Sequence, residues 1–189
     1  MTTLSVKKVL ITGADGFIGK NLVFSLNESH NVEILKFVRG DSDEVLKKLI
    51  LQADVIIHLA GENRPKSPNM FNIVNIDLSK KIAEILNELG SKIPVIFSSS
   101  IQALADNAYG KSKLAAEKIF IDLGNKNGNQ IAIFRLPGVF GKWCKPNYNS
   151  VVATFCHNVA TSKSLRVDDS NHILDLVHVD DVIKSFISF

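Results

Sequence analysis

Three glycines, Gly13, Gly16 and Gly19, stand between a short apolar run at 6–12 (V-K-K-V-L-I-T) and a second apolar run with helical spacing. Glycine at these points commits the chain to a tight strand–turn–helix unit. One glycine makes the turn, one lets backbone approach a pyrophosphate, and one lets the helix pack closely on the sheet. The helix opens at Phe17 and Ile18, so its free N–H groups and the positive end of its dipole face the same point. Gly13, Gly16, Phe17, Ile18 and Gly19 are therefore expected to hold a dinucleotide. The competing reading is a plain strand–helix turn with incidental glycines, and the place of the loop at the front of a βαβ array weighs against it.

The rest of the chain supplies that array. Strands are expected at 6–12, 32–38, 53–60, 93–98 and 130–136, with helices at 17–27, 44–51, 71–89 and 109–123 between them. The run A-D-V-I-I-H-L-A at 53–60 is almost continuously apolar, the mark of a strand buried on both faces. This alternation predicts an α/β fold, a Rossmann-type doubly wound parallel sheet with helices on both sides. After Pro137 the rhythm changes. A loop at 142–150 precedes a helix at 151–160, strands at 164–167 and 173–179, and a final helix from Asp180. The expected division is a dinucleotide-binding domain over 1–140 and a smaller lobe over 141–189.

Composition narrows the classes. Of 189 residues, 46% are hydrophobic, too many for a disordered chain. The 22 basic and 19 acidic residues give a net charge of +3, without the strong basic patch that nucleic-acid binding uses. No apolar run approaches the ~20 residues of a membrane span, and the N-terminus lacks a signal-peptide pattern. The expectation is a soluble, cytoplasmic protein with no nucleic-acid or membrane partner. Two cysteines do not make a disulfide framework. The five histidines show no ligand spacing, so no metal site is expected.

Three further features bear on chemistry. Strand two ends in F-V-R-G, with Arg39 where an acid would meet the adenosine ribose hydroxyls. Arginine suits a 2′-phosphate, which favours NADP; Asp41 and Asp43 nearby leave NAD as the less favoured alternative. Tyr109 and Lys113 are four apart on an expected helix and so share a face. A phenol of pKa ~10 is poorly poised for acid–base work at neutrality, and a neighbouring ammonium lowers it. Lys113 could also hold the cofactor ribose. Ser100, at the end of the fourth strand, could hydrogen-bond the reacting oxygen beside Tyr109, or the run Ser98-Ser99-Ser100 could merely cap the strand.

Taken in order, G-A-D-G-F-I-G (13–19), D-V-I-I-H-L-A-G (54–61), F-S-S-S (97–100), Y-G-K-S-K (109–113), F-R-L-P-G-V-F-G (134–141) and V-H-V-D-D (177–181) resemble the extended short-chain dehydrogenase/reductases, the NAD-dependent epimerase/dehydratase family. The resemblance implies Ser100, Tyr109 and Lys113 as a catalytic triad. It implies that Leu59, Ala60, Gly61 and Asn75 join the glycine loop, Tyr109 and Lys113 around the cofactor. It further implies a homodimer through the helices at 71–89 and 109–123. The segments G-E-N-R-P (61–65), S-S-S-I-Q-A (98–103) and G-K-W-C-K-P-N-Y-N-S-V-V-A-T-F-C (141–156), with only 101–108 between serine and tyrosine, are similar to the capsular-polysaccharide reductases fused to a cupin epimerase. Those reduce the C4 keto group of a UDP-linked 2-acetamido-2,6-dideoxyhexose with NADPH. A UDP-sugar is thus the expected substrate. Members of that group continue past the V-H-V-D-D helix and carry a cupin, so the C-terminal lobe is expected to be partial, with the apolar side chains of V-I-K-S-F-I-S-F (182–189) left uncovered.

Two other outcomes stay open on the same scaffold. One is an epimerase or dehydratase that retains bound NAD, and the other is a non-catalytic cofactor-binding remnant. Among smaller features, Lys145 and Asn149 are the expected polar contacts if 142–150 is a sugar-nucleotide loop rather than a rigid Pro/Trp-stapled one. Arg64 is a further substrate candidate, against a solvated loop arginine. Cys144 reads as a structural thiol, His58 as a buried strand residue, and Asp180 and Asp181 as helix caps.

Overall fold

The computed structural model describes residues 6–29, 31–63 and 71–189. The chain divides into two compact units, Met1–Arg135 and Leu136–Phe189.

The first unit alternates as the apolar runs predict. Strand β1 (Lys7–Thr12) leads to helix α1 (Phe17–Ser29), then β2 (Val32–Phe37), α2 (Asp43–Gln52) and β3 (Val55–His58). A π-helical turn (Asn72–Asp77) runs directly into α3 (Leu78–Glu88), followed by β4 (Val95–Ser100), a 3-10 turn (Ile101–Leu104), α4 (Ala108–Asn127) and β5 (Ile131–Leu136). The sheet order is β2-β1-β3-β4-β5. Strand β1 pairs in parallel with β2 and β3, and β3 with β4, with Thr12 opposite both Phe37 and His58, and His58 opposite Phe97. The chain steps outward from β1 to β2, then crosses to the other side of β1. That reversal leaves a crevice at the carboxyl ends of β1 and β3, where ligands of open α/β sheets bind.

Strand alternation sorts the core onto two faces. Leu10, Leu35, Phe37, Ile56, Val95 and Phe97 pack with Leu46, Ile50, Ile82, Leu86, Ala116, Phe120 and Leu123 from α2, α3 and α4. Val9, Ile11, Ile57 and Ile96 alternate with them and are buried on the opposite face, and Leu22 and Leu26 of α1 are buried outside the first cluster. Caps fix the helix ends. The Ser42 side chain accepts from Val45 N at the start of α2, and Asn107 Oδ1 accepts from Gly110 N at 2.7 Å at the start of α4. Helix α4 ends on Gly128 in the left-handed conformation.

The second unit departs more from the sequence reading. Strand β6 (Gly138–Phe140) follows Pro137 and pairs in parallel with β7 (Leu176–His178); helices α5 (Val151–Ala160) and α6 (Val179–Ile187) complete the regular elements. The strand expected at 164–167 is irregular backbone, with Leu165 and Val167 exposed, and within 173–179 only Leu176–His178 is strand. Apolar alternation there predicts burial, but Leu165, Val167, Ile173 and Leu174 are exposed. The apolar residues of the final helix are covered, contrary to expectation: Val182, Ile183 and Phe186 are buried and Phe189 is exposed. No helix among the described residues is long and apolar enough to cross a membrane.

Candidate active site

The glycine loop sits in the crevice between β1 and β3. Gly13 has φ of +73°, and a Cβ on it would stand 2.7 Å from Ala60 N. Its own N–H donates to Phe37 O (3.2 Å), which ties the loop to the end of β2. A Cβ on Gly19 would stand 2.3 Å from Gly13 O and 2.8 Å from the Ala14 Cα. Both neighbours are backbone, so neither position can take a side chain without moving the loop or α1. Gly16 N donates to Gly13 O, and Phe17 and Ile18 form the first turn of α1. A backbone cradle closed by glycine and facing a helix N-terminus fits a dinucleotide diphosphate.

A buried polar chain joins this cradle to α4. Ser79 Oγ donates to Asn75 O (2.9 Å), so it accepts from His58 Nε2 (3.0 Å); His58 Nδ1 is then the acceptor of the Thr12 hydroxyl (2.6 Å). Thr12 Oγ1 in turn accepts from Ala60 N, and Leu59 N donates to Thr12 O. His58 is therefore a neutral imidazole with its proton on Nε2, and burial holds its pKa down to about 3. Asn75 accepts from Glu62 N (2.8 Å) and donates to Glu62 O and to Ser112 Oγ, whose proton goes to Tyr109 O. Asn75 lies in the π-helical turn, which replaces the start of the uniform helix expected over 71–89. A Cβ on Gly61 would stand 3.3 Å from Asn75 Oδ1 and 3.7 Å from Lys113 Nζ. Leu59, Ala60, Gly61 and Asn75 thus lie along one strip from the glycine loop to Lys113.

Ser100, Tyr109 and Lys113 come together at the end of β4 and the start of α4. Ser100 Oγ accepts from Gln102 N and caps the 3-10 turn, and its hydroxyl acts on the Tyr109 phenol to lower its pKa. The Tyr109 ring lies 5.9 Å from that of Phe71. Lys113 is buried at 4% exposure; its Nζ donates to Ser98 O (2.6 Å) and sits 4.4 Å above the Phe97 ring. Burial pulls the Lys113 pKa down to about 8, against the opposing charge of Glu117. Tyr109 does not show the lowered pKa expected from its spacing to Lys113. Burial raises its pKa, Ser100 opposes that, and the Lys113 ammonium is turned onto Ser98. Tyr109 is thus a protonated phenol at neutral pH, the form that gives a proton.

Arg39 reaches out from the end of β2, with its side chain 80% exposed and Nη2 3.3 Å from Glu62 Oε2. Asp41 is engaged on its own turn, accepting from Val38 N (2.8 Å). Arg64 lies outside the described residues. Lys145 and Asn149 belong to the second unit, in the loop 142–150. There Lys142 Nζ lies 4.4 Å over the Trp143 ring and Lys145 Nζ 5.7 Å from that of Tyr148, and Asn147 N donates to Thr154 Oγ1. The cap of α6 is His178, whose Nδ1 accepts from Asp180 N, with Asp180 and Asp181 in the first turn.

Three residues were not found from sequence. A Cβ on Gly110 would stand 2.0 Å from Gln102 O, so glycine lets α4 close onto the 3-10 turn. Glu117 and Arg135 form a bidentate pair beside Lys113. The spacing Lys113 to Glu117 puts both on one face of α4, but nothing in it distinguishes a buried glutamate from a solvated one.

With the geometry in place, comparison with known proteins decides the lineage. The family model described as "NAD dependent epimerase/dehydratase family" matches residues 9–188. The chain belongs to this family. Within it, the chain is 47% identical over 179 residues to a UDP-2-acetamido-2,6-beta-L-arabino-hexul-4-ose reductase of Pseudomonas aeruginosa, covering 95% of this chain and 48% of that one. It is 26% identical to a ceramide reductase of Caulobacter vibrioides, covering 96% of this chain and 60% of that one. Among solved structures it matches the capsular polysaccharide assembling protein CapF from Staphylococcus aureus with a TM-score of 0.83 and 40% identity, over 95% of this chain and 48% of that one. A UDP-glucuronic acid 4-epimerase from Bacillus cereus, at 19% identity and a TM-score of 0.83 over 96% of this chain and 73% of that one, shares the fold. The chain spans about half the length of the Pseudomonas reductase and of CapF.

Proposed function

We propose that the chain reduces the C4 keto group of a UDP-linked 2-acetamido-2,6-dideoxyhexos-4-ulose with NADPH, in the synthesis of capsular or surface polysaccharide precursors. The observation that carries this reading is the juxtaposition of a protonated Tyr109, its Ser100 partner and the buried Lys113 at the end of a strip that begins at the glycine cradle. The names of the Pseudomonas reductase and of CapF support the substrate and its setting.

In this reading 1–140 holds the cofactor and 141–189 the sugar nucleotide. Gly13, Gly16, Phe17, Ile18, Gly19, Leu59, Ala60, Gly61 and Asn75 hold the dinucleotide with Tyr109 and Lys113. The cofactor supplies a hydride when bound. Ser100 orients the C4 oxygen by hydrogen bonding, and Tyr109 gives its phenolic proton to that oxygen as C4 becomes a carbinol. Lys113, one helical turn along and beside Gly61, grips the cofactor ribose. Arg39 presents an exposed guanidinium to a 2′-phosphate, which favours NADPH over NADH. Lys145 and Asn149 contact the sugar nucleotide from the loop 142–150, with Arg64 as a further substrate contact. The protein is proposed to act in the cytoplasm as a homodimer.

The test is NADPH oxidation by the purified chain with that keto sugar. Tyr109→Phe is expected to slow it at least ~100-fold. Equal rates for the two proteins remove the role of Tyr109. Trp143, the single tryptophan of the chain, gives a separate binding signal, because UDP stacking near it would quench its fluorescence.

A further inference from the structure

Glu117 is a carboxylate at 2% exposure, on the same face of α4 as Lys113 and one turn further along. It accepts the Ser99 hydroxyl, and Arg135 Nε and Nη2 donate to it, Nε to Oε1 at 3.0 Å and Nη2 to Oε2 at 2.7 Å. Ser99 stands between Ser98, whose carbonyl receives the Lys113 ammonium, and Ser100, which meets the Tyr109 hydroxyl. The same carboxylate therefore ties the end of β4 to the helix that carries Tyr109 and Lys113, and ties both to β5 through Arg135.

We propose that Glu117, oriented by Ser99 and Arg135, is a positioning residue that holds the Ser98–Ser100 strand end against α4 and sets the electrostatic field at Lys113. The proposal rests on the roles given above to Tyr109 and Lys113. A buried ion pair with no such role would contribute only to folding, since such pairs often do no better than apolar replacements. The surroundings of Lys113 separate the two cases. Glu117 bears on it from α4, and its charge keeps the lysine protonated against burial. His58 bears on it from β3 and is neutral. Tyr109, on the same helix, is also neutral. Arg135 acts from β5 through Glu117, offsetting part of its charge.

The two partners therefore have opposite signs. Glu117→Gln removes the negative charge with little change of shape, so Lys113 gives up its proton at lower pH. Arg135→Gln leaves Glu117 less compensated, so Lys113 holds its proton to higher pH. The experiment follows the Lys113 ε-methylene by NMR in lysine-labelled protein, with Lys113→Arg to identify the signal. At a fixed pH the amine-to-ammonium ratio is expected to rise at least ~3-fold in Glu117→Gln and to fall by a similar factor in Arg135→Gln. The pH profile of kcat for NADPH oxidation is expected to move in the same opposite directions. A loss of stability alone would weaken both variants and move neither midpoint.

Midpoints that stay put, or that move the same way in both variants, overturn the proposal. Arg135 is partly exposed, so its variant remains informative if Glu117→Gln does not fold. Opposite shifts of Lys113 in a chain without turnover would support the assignment of Glu117 while removing the reductase reading. Turnover with unmoved midpoints would do the reverse.

Discussion

His58 makes the acid stability of this fold predictable. Its ring is fully buried between Thr12 and Ser79, stacked 5.4 Å from Phe97 and edge-on to Phe120 at 5.6 Å. Nδ1 already accepts the Thr12 proton, so a second ring proton would meet a donor in a fully buried site. Burial, with a smaller contribution from Lys113, holds the pKa at about 3 against 6.5 in an unfolded chain. The sign follows from linkage. Below pH 6.5 the unfolded chain takes up a proton that the native ring refuses, so the group's contribution is complete above 6.5 and declines as pH falls toward 3. The slope is about 1.4 kcal/mol per pH unit, which makes the loss between pH 7 and 5 about 2 kcal/mol. Glutamine can still donate to Ser79 and does not titrate. Urea unfolding of wild type and His58→Gln at pH 7 and pH 5 should show wild type losing about 2 kcal/mol more than the variant over that interval. The variant's own lower stability cancels, because only the two pH dependences are compared. Equal losses, or an imidazole signal of His58 that titrates near 6.5 in the folded protein, would refute this reasoning.

Two further outcomes follow from the cofactor crevice. Gly19→Ala forces a Cβ to within 2.3 Å of Gly13 O, so calorimetry should find dinucleotide affinity reduced at least ~100-fold, with the circular dichroism of the α/β fold retained. Arg39→Ser should weaken NADPH binding ~10-fold or more and leave NADH binding within about twofold, since a charge-assisted contact to phosphate is worth about 1.5–3 kcal/mol. Equal weakening of both cofactors would place Arg39 away from the 2′-phosphate.

The first unit was legible because its signals are local and repeated. Continuous apolar strands, glycines at fixed offsets and amphipathic helices each declare a burial that the sheet then satisfies, and five strands fall where the runs lie. Ser100, Tyr109 and Lys113 could be read for the same reason, from strand end and helix spacing. The field around them could not. Whether Lys113 faces Tyr109 or the Ser98 carbonyl, and whether burial outweighs charge at the phenol, depends on packing between β4 and α4 that no spacing encodes. The Glu117–Arg135 pair and the His58 chain were hidden similarly, because their partners lie 18 and 46 residues away in sequence. In the second unit alternation misleads at 164–167, where apolar residues are exposed, and the resemblance to longer relatives misleads at 182–186, where the apolar side chains are buried.

The most direct test of the central claim is the fate of the transferred hydrogen. The purified chain would be given NADPH carrying deuterium at the transferred position, with the UDP-linked 4-keto sugar, and the product read by NMR and mass spectrometry. The account predicts one deuterium at C4 of the sugar and one NADPH consumed per product, with both formed at least ~100-fold more slowly in Tyr109→Phe. A product that is epimerised or dehydrated without net NADPH consumption, or that carries no deuterium at C4, would contradict it.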